Sequence, residues 1–541
     1  MRCCVQGFTP RHTQLRRYKS SGAPSLDKPH RNPLMRWSEQ LHHGWPIIHH
    51  LPQIFVGLEG CASAFNAMNA VRTCMYFGTA SPPCFLTLRG PEDIQHLHPR
   101  SYSPCNDNDD GVNGTHSNKR TTIISSVARF GEDIFLNDPK SKHMPLLALE
   151  NYTVRSKSLL ACRFPDSGRL IIGHENRGVH RKYIGEHRTV SSKESGFAAE
   201  HVLYVPQYGT ISSLNVVTSM GIALFYALMD THFPQSRQVL SQPQSDSLSF
   251  TFNEDMDEVR NYQNLFQRSL PMVSSGSDTS RVDPRPIHPM YYQMNYEDII
   301  QRHRRLRERL LQIEASGASR NDPALFGLSV LYQNAVDQRS LGGILRSANA
   351  FLVDAVYYFG RRKVNATGTI GTQHYTPPIY LGPHGHGALE RQLNLNGAPS
   401  PWWFLDCGHA FIYSETSCFN GSMDLEDKET ISQCMESLLW YTTHRSKENF
   451  TLSLCDPDNV LRGAAKAGVV LVVPQEGILP PPHILQHCER ILTVMPEKHR
   501  TERCDAGLPV AVATGIALQR LSAVMHPRIA ALSVACGSSD K

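Results

Sequence analysis

The sequence lacks a C-x-x-C pair, an apolar run long enough to span a membrane, and a strong excess of charge of either sign. Its 14 cysteines are scattered singly apart from Cys3 and Cys4, which supports neither a zinc ribbon nor a thioredoxin motif and fits a reducing compartment. The apolar run at 467–473 has only the length of a core strand. With 54 Lys and Arg against 49 Asp and Glu, the net charge of +5 does not by itself identify a nucleic-acid binder.

Metal ligation has little support. The histidine pairs at 41–50 and 382–387 stand without an acid or cysteine at metal-ligand spacing, so no metal site is predicted.

The N-terminal segment lacks acids, since none precedes Asp27. Residues 1–26 are rich in Ser and Thr and contain five basic residues, Arg2, Arg11, Arg16, Arg17 and Lys19. This composition is typical of a mitochondrial targeting segment, and we expect residues 1–43 to direct the chain to the mitochondrial matrix. The alternative is a disordered basic tail.

The 541 residues are too many for one ordinary core and divide by composition into two segments. A first domain is predicted at 44–236, interrupted by a polar insertion at 103–122, and a second at 289–536. A linker at 237–288 joins them, and a tail follows at 537–541. Both domains alternate Val/Ile/Leu-rich runs with helical ones, which predicts parallel α/β sheets buried on both faces.

A basic helix is predicted to begin near Tyr296 and to lead into the second domain. One face is apolar, and the other carries arginines that include Arg302, Arg305 and Arg309. This face is either a phosphate-contacting ridge for RNA or an ordinary solvated helix face.

Three stretches recur in the same order in both domains. The first is FNAMNAVRTCMYFG (65–78) and RSLGGILRSANAF (339–351). The second is LIIGHENRGV (170–179) and LVVPQEGILPP (471–481). The third is SSLNVVTSMGIAL (212–224) and AGLPVAVATGIAL (506–518), each opening a helix after a short strand. The chain therefore contains an internal duplication.

The first copy resembles the SpoU-type RNA 2′-O-ribose methyltransferases of the SPOUT superfamily. Asn66, Arg72 and Phe77-Gly78 match the first family motif, and Gly173, Glu175 and Gly178 match the second. The third motif is matched by Val205-Pro206 and by Ser213-Leu214-Asn215-Val216. The resemblance implies two SPOUT domains, each a parallel sheet with a C-terminal deep trefoil knot, and S-adenosylmethionine as cofactor.

Site roles follow from the same resemblance. It implies catalytic roles for Arg72, Asn66, Ser213, Asn215 and Glu175, and cofactor binding by Gly173, His174, Gly178, Val205, Pro206 and Leu214. Arginine is normally always protonated, so Arg72 is expected to grip a phosphate and polarise the ribose hydroxyl. Ser213 and Asn215 could instead be simple helix caps, and Glu175 could merely brace its loop.

The second copy departs from the family pattern at each motif. Ser340 replaces the first-motif Asn, Pro474 replaces the second-motif Gly, and Gly507 and Pro509 replace Ser and Asn in the third. This copy is expected to keep the fold and to lack the cofactor site, while it retains Arg346 as an RNA-binding residue. Because family members work as dimers, the halves are expected to form an internal pseudo-dimer in which Arg346 completes the first site. Alternatively, each half pairs with another SPOUT chain.

The expected function is S-adenosylmethionine-dependent RNA 2′-O-ribose methylation, acting on mitochondrial rRNA during ribosome assembly, with tRNA as the second candidate substrate. The competing hypothesis is a catalytically silent SPOUT protein that acts as a structural RNA-binding factor in a pre-ribosomal particle. Intact Gly173, Ser213 and Asn215 favour the enzyme.

Overall fold

The computed structural model describes Trp45 and residues 53–93, 128–185, 198–240, 327–383, 400–409 and 425–530, with short gaps inside most of these ranges. The predicted targeting segment, the polar insertion and the basic helix with Arg302, Arg305 and Arg309 lie outside the described residues. So does most of the predicted linker.

The first half contains a seven-stranded sheet and four helices within the described residues. The strands are β1 (Gln53–Leu58), β2 (Cys84–Phe85), β3 (Arg129–Phe130), β4 (Leu146–Leu149), β5 (Ser156–Ser158), β6 (Ser167–Ile172) and β7 (His201–Tyr204). The helices are α1 (Ala64–Tyr76), α2 (Glu132–Leu136), α3 (Arg181–Ile184) and α4 (Val216–His232).

The second half repeats this arrangement. Its strands are β8 (Leu328–Asn334), β9 (Ala355–Gly360), β10 (Ile379–Tyr380), β11 (Trp402–Asp406), β12 (Thr451–Ser453), β13 (Val469–Val473) and β14 (Cys488–Thr493). Its helices are α5 (Gln338–Ala350), α6 (Leu425–Arg445), α7 (Asp458–Ala464), α8 (Pro482–Leu485) and α9 (Val510–Met525).

The two sheets have the same strand order. It is β3-β2-β1-β6-β4-β7-β5 in the first half and β10-β9-β8-β13-β11-β14-β12 in the second. Every neighbouring pair is parallel. Strands such as β13 are buried along their whole length, as expected for a sheet covered on both faces. The predicted parallel α/β class and the duplication are therefore confirmed.

Helices α4 and α9, which begin in the third repeated stretch, pack directly on each other. A Cβ on Gly221 would lie 2.5 Å from Val512 Cγ1, and one on Gly515 would lie 2.3 Å from Thr218 Cγ2. Gly221 corresponds to Gly515, and Thr218 to Val512, so the contact is reciprocal, as it is across a twofold interface. The two glycines allow the helices to approach closely.

The halves share one large apolar cluster, which includes buried residues of both α4 and α9. At the other end of these helices the backbone carbonyl of Ser236 accepts hydrogen bonds from Asp458 N and Arg520 Nη2 at 2.9 and 3.2 Å. The contact between halves is thus both apolar and polar. Among the helices that the structure describes, none is long and apolar enough to cross a membrane.

Candidate active site

A polar cluster lies where α1 of the first half, the start of α4 and α5 of the second half meet. Asn215 Nδ2 donates to Asn66 Oδ1 at 3.2 Å. Arg346, from α5, donates through Nη2 to Ser213 Oγ at 2.9 Å and through Nε to the Ser213 carbonyl at 2.7 Å. It also reaches the Leu214 carbonyl at 3.0 Å. The structure therefore brings five of the predicted site residues together, one of them from the other half.

Asn215 also caps α4. Its Oδ1 accepts the backbone N–H groups of Val217 and Thr218 at 2.9 and 3.4 Å, and its backbone is extended as an N-cap requires. The capping bonds use the side-chain oxygen and the Asn66 bond uses the amide nitrogen. The two interpretations made from the sequence, cap and site residue, are therefore compatible in one side chain.

The second-motif loop folds tightly between Gly173 and Val179. His174 and Gly178 form an isolated antiparallel bridge, and a Cβ on Gly173 would lie 2.4 Å from the Gly178 carbonyl carbon. The glycine expected to admit the cofactor is thus already required by the loop's own backbone. Burial lowers the pKa of His174, and nearby Arg177 lowers it further. Both effects favour the neutral form of the imidazole.

Two buried carboxylates brace this loop, and the sequence did not single out either. Glu150, directly after β4, accepts the Val179 N–H at 2.6 Å. Glu59, directly after β1, accepts the His180 N–H at 2.7 Å. Burial raises the pKa of Glu59 to about 7, although the His180 N–H and Lys182 oppose the shift. Both residues follow strands, at the carboxyl edge of the sheet where α/β proteins place their ligands.

The remaining predicted cofactor residues surround the same edge of the sheet. Val205 and Pro206 are buried just after β7, and Leu214 is buried before α4. Gln207, which follows Pro206, is 6% exposed, and its Oε1 has no hydrogen-bond partner in the part of the chain that the structure describes. A buried polar atom without a hydrogen-bond partner is rare in proteins, which makes this oxygen a candidate position for a ligand donor or an ordered water. Glu175 is half-buried in the second-motif loop.

Arg72 does not join this cluster. Its guanidinium crosses into the second half, where Nε donates to the Gly507 carbonyl at 2.8 Å and Nη2 to the Leu508 carbonyl at 3.2 Å. It forms an ion pair with Glu476 and contacts His409 Nε2 at 2.8 Å. The sequence-based role for Arg72 placed it with Ser213 and Asn215, whereas the structure places it at the equivalent position of the other half.

The Arg72 and Arg346 contacts are reciprocal. Gly507 and Leu508 correspond to Ser213 and Leu214 in the third repeated stretch, and each arginine donates to both carbonyls of the opposite pair. The first-motif arginine of each half therefore binds backbone carbonyls of the other half.

The region around Gly507, which is equivalent to the Ser213 region of the first half, is filled by the protein's own side chains. His409 is fully buried, and a Cβ on Gly507 would lie 2.5 Å from its Cδ2 atom. The pKa of His409 is lowered to about 4, chiefly by burial and also by Arg72, with Glu476 opposing the shift. Burial raises the pKa of Glu476, but Arg72, His409 and the Val510 N–H outweigh it and lower the pKa overall. A neutral imidazole and an ion pair thus occupy the space between the loops.

Comparison with known proteins finds no match among family models or among curated proteins. Solved structures do match. The TrmH/SpoU tRNA modifying enzyme of A. aeolicus is 18% identical over 44% of this chain and 88% of that chain, with a TM-score of 0.24. The SpoU methyltransferase AviRb from Streptomyces viridochromogenes, in complex with AdoMet, is 13% identical over 36% of this chain and 56% of that one, with a TM-score of 0.22.

A third structure, of a putative RNA methyltransferase from Bacillus anthracis, is 17% identical over 34% of this chain and 96% of that chain, with a TM-score of 0.23. These are proteins of the kind that the sequence motifs resemble.

Proposed function

We propose that the protein is an S-adenosylmethionine-dependent RNA 2′-O-ribose methyltransferase with one composite active site. The observation that carries the proposal is the cluster in which Arg346 of the second half holds Ser213 beside the Asn66–Asn215 pair of the first. An internal pseudo-dimer is the arrangement that this proposal requires. The trefoil knot stays a prediction from the resemblance.

The residues around the second-motif and third-motif loops fit the proposed cofactor. Gln207 offers a buried acceptor that has no partner among the described residues, and its place beside Val205 and Pro206 suits the amino or hydroxyl donors of an adenosine derivative. Gly173 and Gly178 would supply the loop that encloses the ligand. When bound there, S-adenosylmethionine supplies an electrophilic methyl group.

The chain's own residues then act on the ribose. Arg346 would hold the phosphate next to the target nucleotide and, by donating to Ser213 Oγ, leaves the serine O–H free to point at the substrate. Asn66 and Asn215 would orient the 2′-hydroxyl. The 2′-hydroxyl would have to lose its proton during methyl transfer, and Glu175 is the carboxylate that the motifs supply to accept it.

The cellular part of the proposal is that the chain acts in the mitochondrial matrix on rRNA during ribosome assembly. It is supported by the acid-free, Arg-rich residues 1–26. A tRNA substrate is the alternative.

The test combines cofactor binding with methyl transfer. Calorimetry with S-adenosylmethionine should give one site per chain, which Gly173→Pro abolishes. Tritium from labelled cofactor should enter mitochondrial RNA at alkali-resistant linkages, and 2′-O-methyl mapping after depletion should identify the nucleotide. If the wild-type chain binds no cofactor and Gly173→Pro leaves methyl transfer to RNA unchanged, the methyltransferase hypothesis is excluded. The hypothesis of a catalytically silent RNA-binding assembly factor then remains.

A further inference from the structure

Phe65 and Arg339 meet at the junction of the two halves. The Arg339 guanidinium carbon lies 5.3 Å from the centroid of the Phe65 ring, within the range of a cation–π contact. Phe65 is the second residue of α1 and Arg339 the second of α5, so the two occupy equivalent positions in the duplication. Equivalent positions meet each other only at a twofold axis.

This contact depends on the duplication. In a dimer of identical chains, both positions would carry the same residue, and two arginines in contact would repel each other. Duplication allowed one position to become aromatic and the other cationic. The result is a mixed pair on the axis that relates the two halves.

The pair stands beside the proposed active site. Phe65 directly precedes Asn66, whose amide contacts Asn215. Arg339 precedes Arg346 by seven residues, about two helical turns, so both arginines lie on the same face of α5. Asn66 and Arg346 are buried, whereas Phe65 and Arg339 are half-buried and partly open to solvent. The pair is therefore the more solvent-accessible part of the same line of residues.

A guanidinium lying on an aromatic ring is suited to single-stranded RNA. Unpaired bases stack on aromatic rings and on arginine planes, while the edge of the guanidinium can donate to phosphate. On this basis, which rests on the proposed function, we infer that the Phe65–Arg339 pair binds the nucleotide next to the ribose that is methylated. It positions the RNA and takes no part in the chemistry.

The test measures RNA binding in the absence of cofactor, by fluorescence anisotropy of a labelled single-stranded RNA of mixed sequence, about 12 nucleotides long, at several salt concentrations. Arg339→Ala should weaken binding about tenfold and reduce the slope of log K against log salt by about 1. Phe65→Leu should weaken binding without changing the slope. Cofactor affinity should stay at the wild-type value in both variants.

A matched control is Arg445, whose guanidinium carbon lies 5.5 Å from the Tyr441 ring centroid in the second half. Arg445→Ala should leave RNA affinity unchanged. Wild-type affinity in both Arg339→Ala and Phe65→Leu, or a wild-type chain that does not bind the probe, overturns the inference. The inference is also overturned if Arg339→Ala and Phe65→Leu lower the melting temperature but leave RNA affinity unchanged, because the pair would then be a structural contact.

If Arg339→Ala loses both stability and affinity, Arg339→Lys decides, because it keeps the charge and most of the packing but loses the flat stacking surface. Weaker binding by a folded Arg339→Lys protein supports the inference, and wild-type binding overturns it. Because binding is measured without cofactor, absence of methyl transfer in the wild type refutes the proposed function while leaving this readout intact.

Discussion

The two halves share one strand order but differ at the start of the third motif. The first half has polar side chains there, whereas in the second half the equivalent space is filled by other residues of the protein. Ser213 and Gly507 are equivalent residues of the third repeated stretch. The hydroxyl of Ser213 accepts a hydrogen bond from Arg346, whereas Gly507 has no side chain and leaves space for His409. His409 lies four residues after Leu405, and the equivalent residue of the first half, four after Leu149, is Thr153. The loss of a side chain in the motif is thus coupled to the gain of a larger one on a neighbouring loop.

The helix caps show the same exchange. In the first half Asn215 caps α4 with its own side chain. In the second half Pro509 cannot do so, and Glu476 from the second-motif loop accepts the Val510 N–H at 3.0 Å. A residue equivalent to the proposed catalytic Glu175 has become a cap and the partner of Arg72. The equivalent site of the second half is therefore a structural contact between the two halves. Its motif residues have been replaced by residues that pack and bond with one another.

The largest expected effect is on stability, through Arg72. Arg72→Ala should lower the free energy of unfolding by about 3 to 5 kcal/mol, because it leaves Glu476 without its ion-pair partner beside a buried histidine. Urea unfolding measures this loss. The double variant Arg72→Met/Glu476→Gln should recover part of it. An Arg72→Ala protein of wild-type stability that has lost all methyl transfer would instead restore the catalytic role that the sequence motif suggests.

The next effect is on activity, through Arg346. Arg346→Ala should reduce the rate of methyl transfer by about 10²- to 10³-fold, the usual result of removing one positioned donor from an active site. Cofactor affinity should change little. Single-turnover rates with labelled cofactor provide the measurement, and Arg346→Lys should retain part of the activity because it keeps the charge without the planar fork. Full activity in Arg346→Ala would break the assignment of one arginine to each pocket.

A smaller effect is expected from acid. His409 has a folded pKa of about 4, below its ordinary value, so between about pH 6.5 and 4 the unfolded chain binds a proton that the folded chain does not. Stability is therefore lost as the pH falls through this window, by about 2.5 kcal/mol at pH 4.5. Glu59 acts in the opposite direction, since its pKa is raised. The comparison is thus between wild type and His409→Gln, whose unfolding free energy should fall less on acidification; parallel pH profiles would contradict it.

Val/Ile/Leu-rich runs such as β13, whose five residues are all valine or leucine, predicted the fold class, and the three repeated stretches predicted the duplication. Strands β4 and β11 lie outside the three repeated stretches, although each lies between two other strands of its sheet. Since Glu150 and His409 follow these strands, their roles could not be anticipated. The motif also could not show which half Arg72 serves, because a helix's sequence does not fix which neighbour its arginine contacts. Only the packing of α4 on α9 decides this.

The smallest expected difference separates the two caps. Asn215→Ala should cost about 1 kcal/mol of stability, because two N–H groups at the start of α4 lose their acceptor. Pro509→Ala should cost close to nothing, because Pro509 makes no side-chain cap and Glu476 already accepts the Val510 N–H. Urea midpoints of the two variants measure the contrast. No loss of stability in Asn215→Ala would contradict the capping role, and the Asn215 side chain would then act through its contact with Asn66.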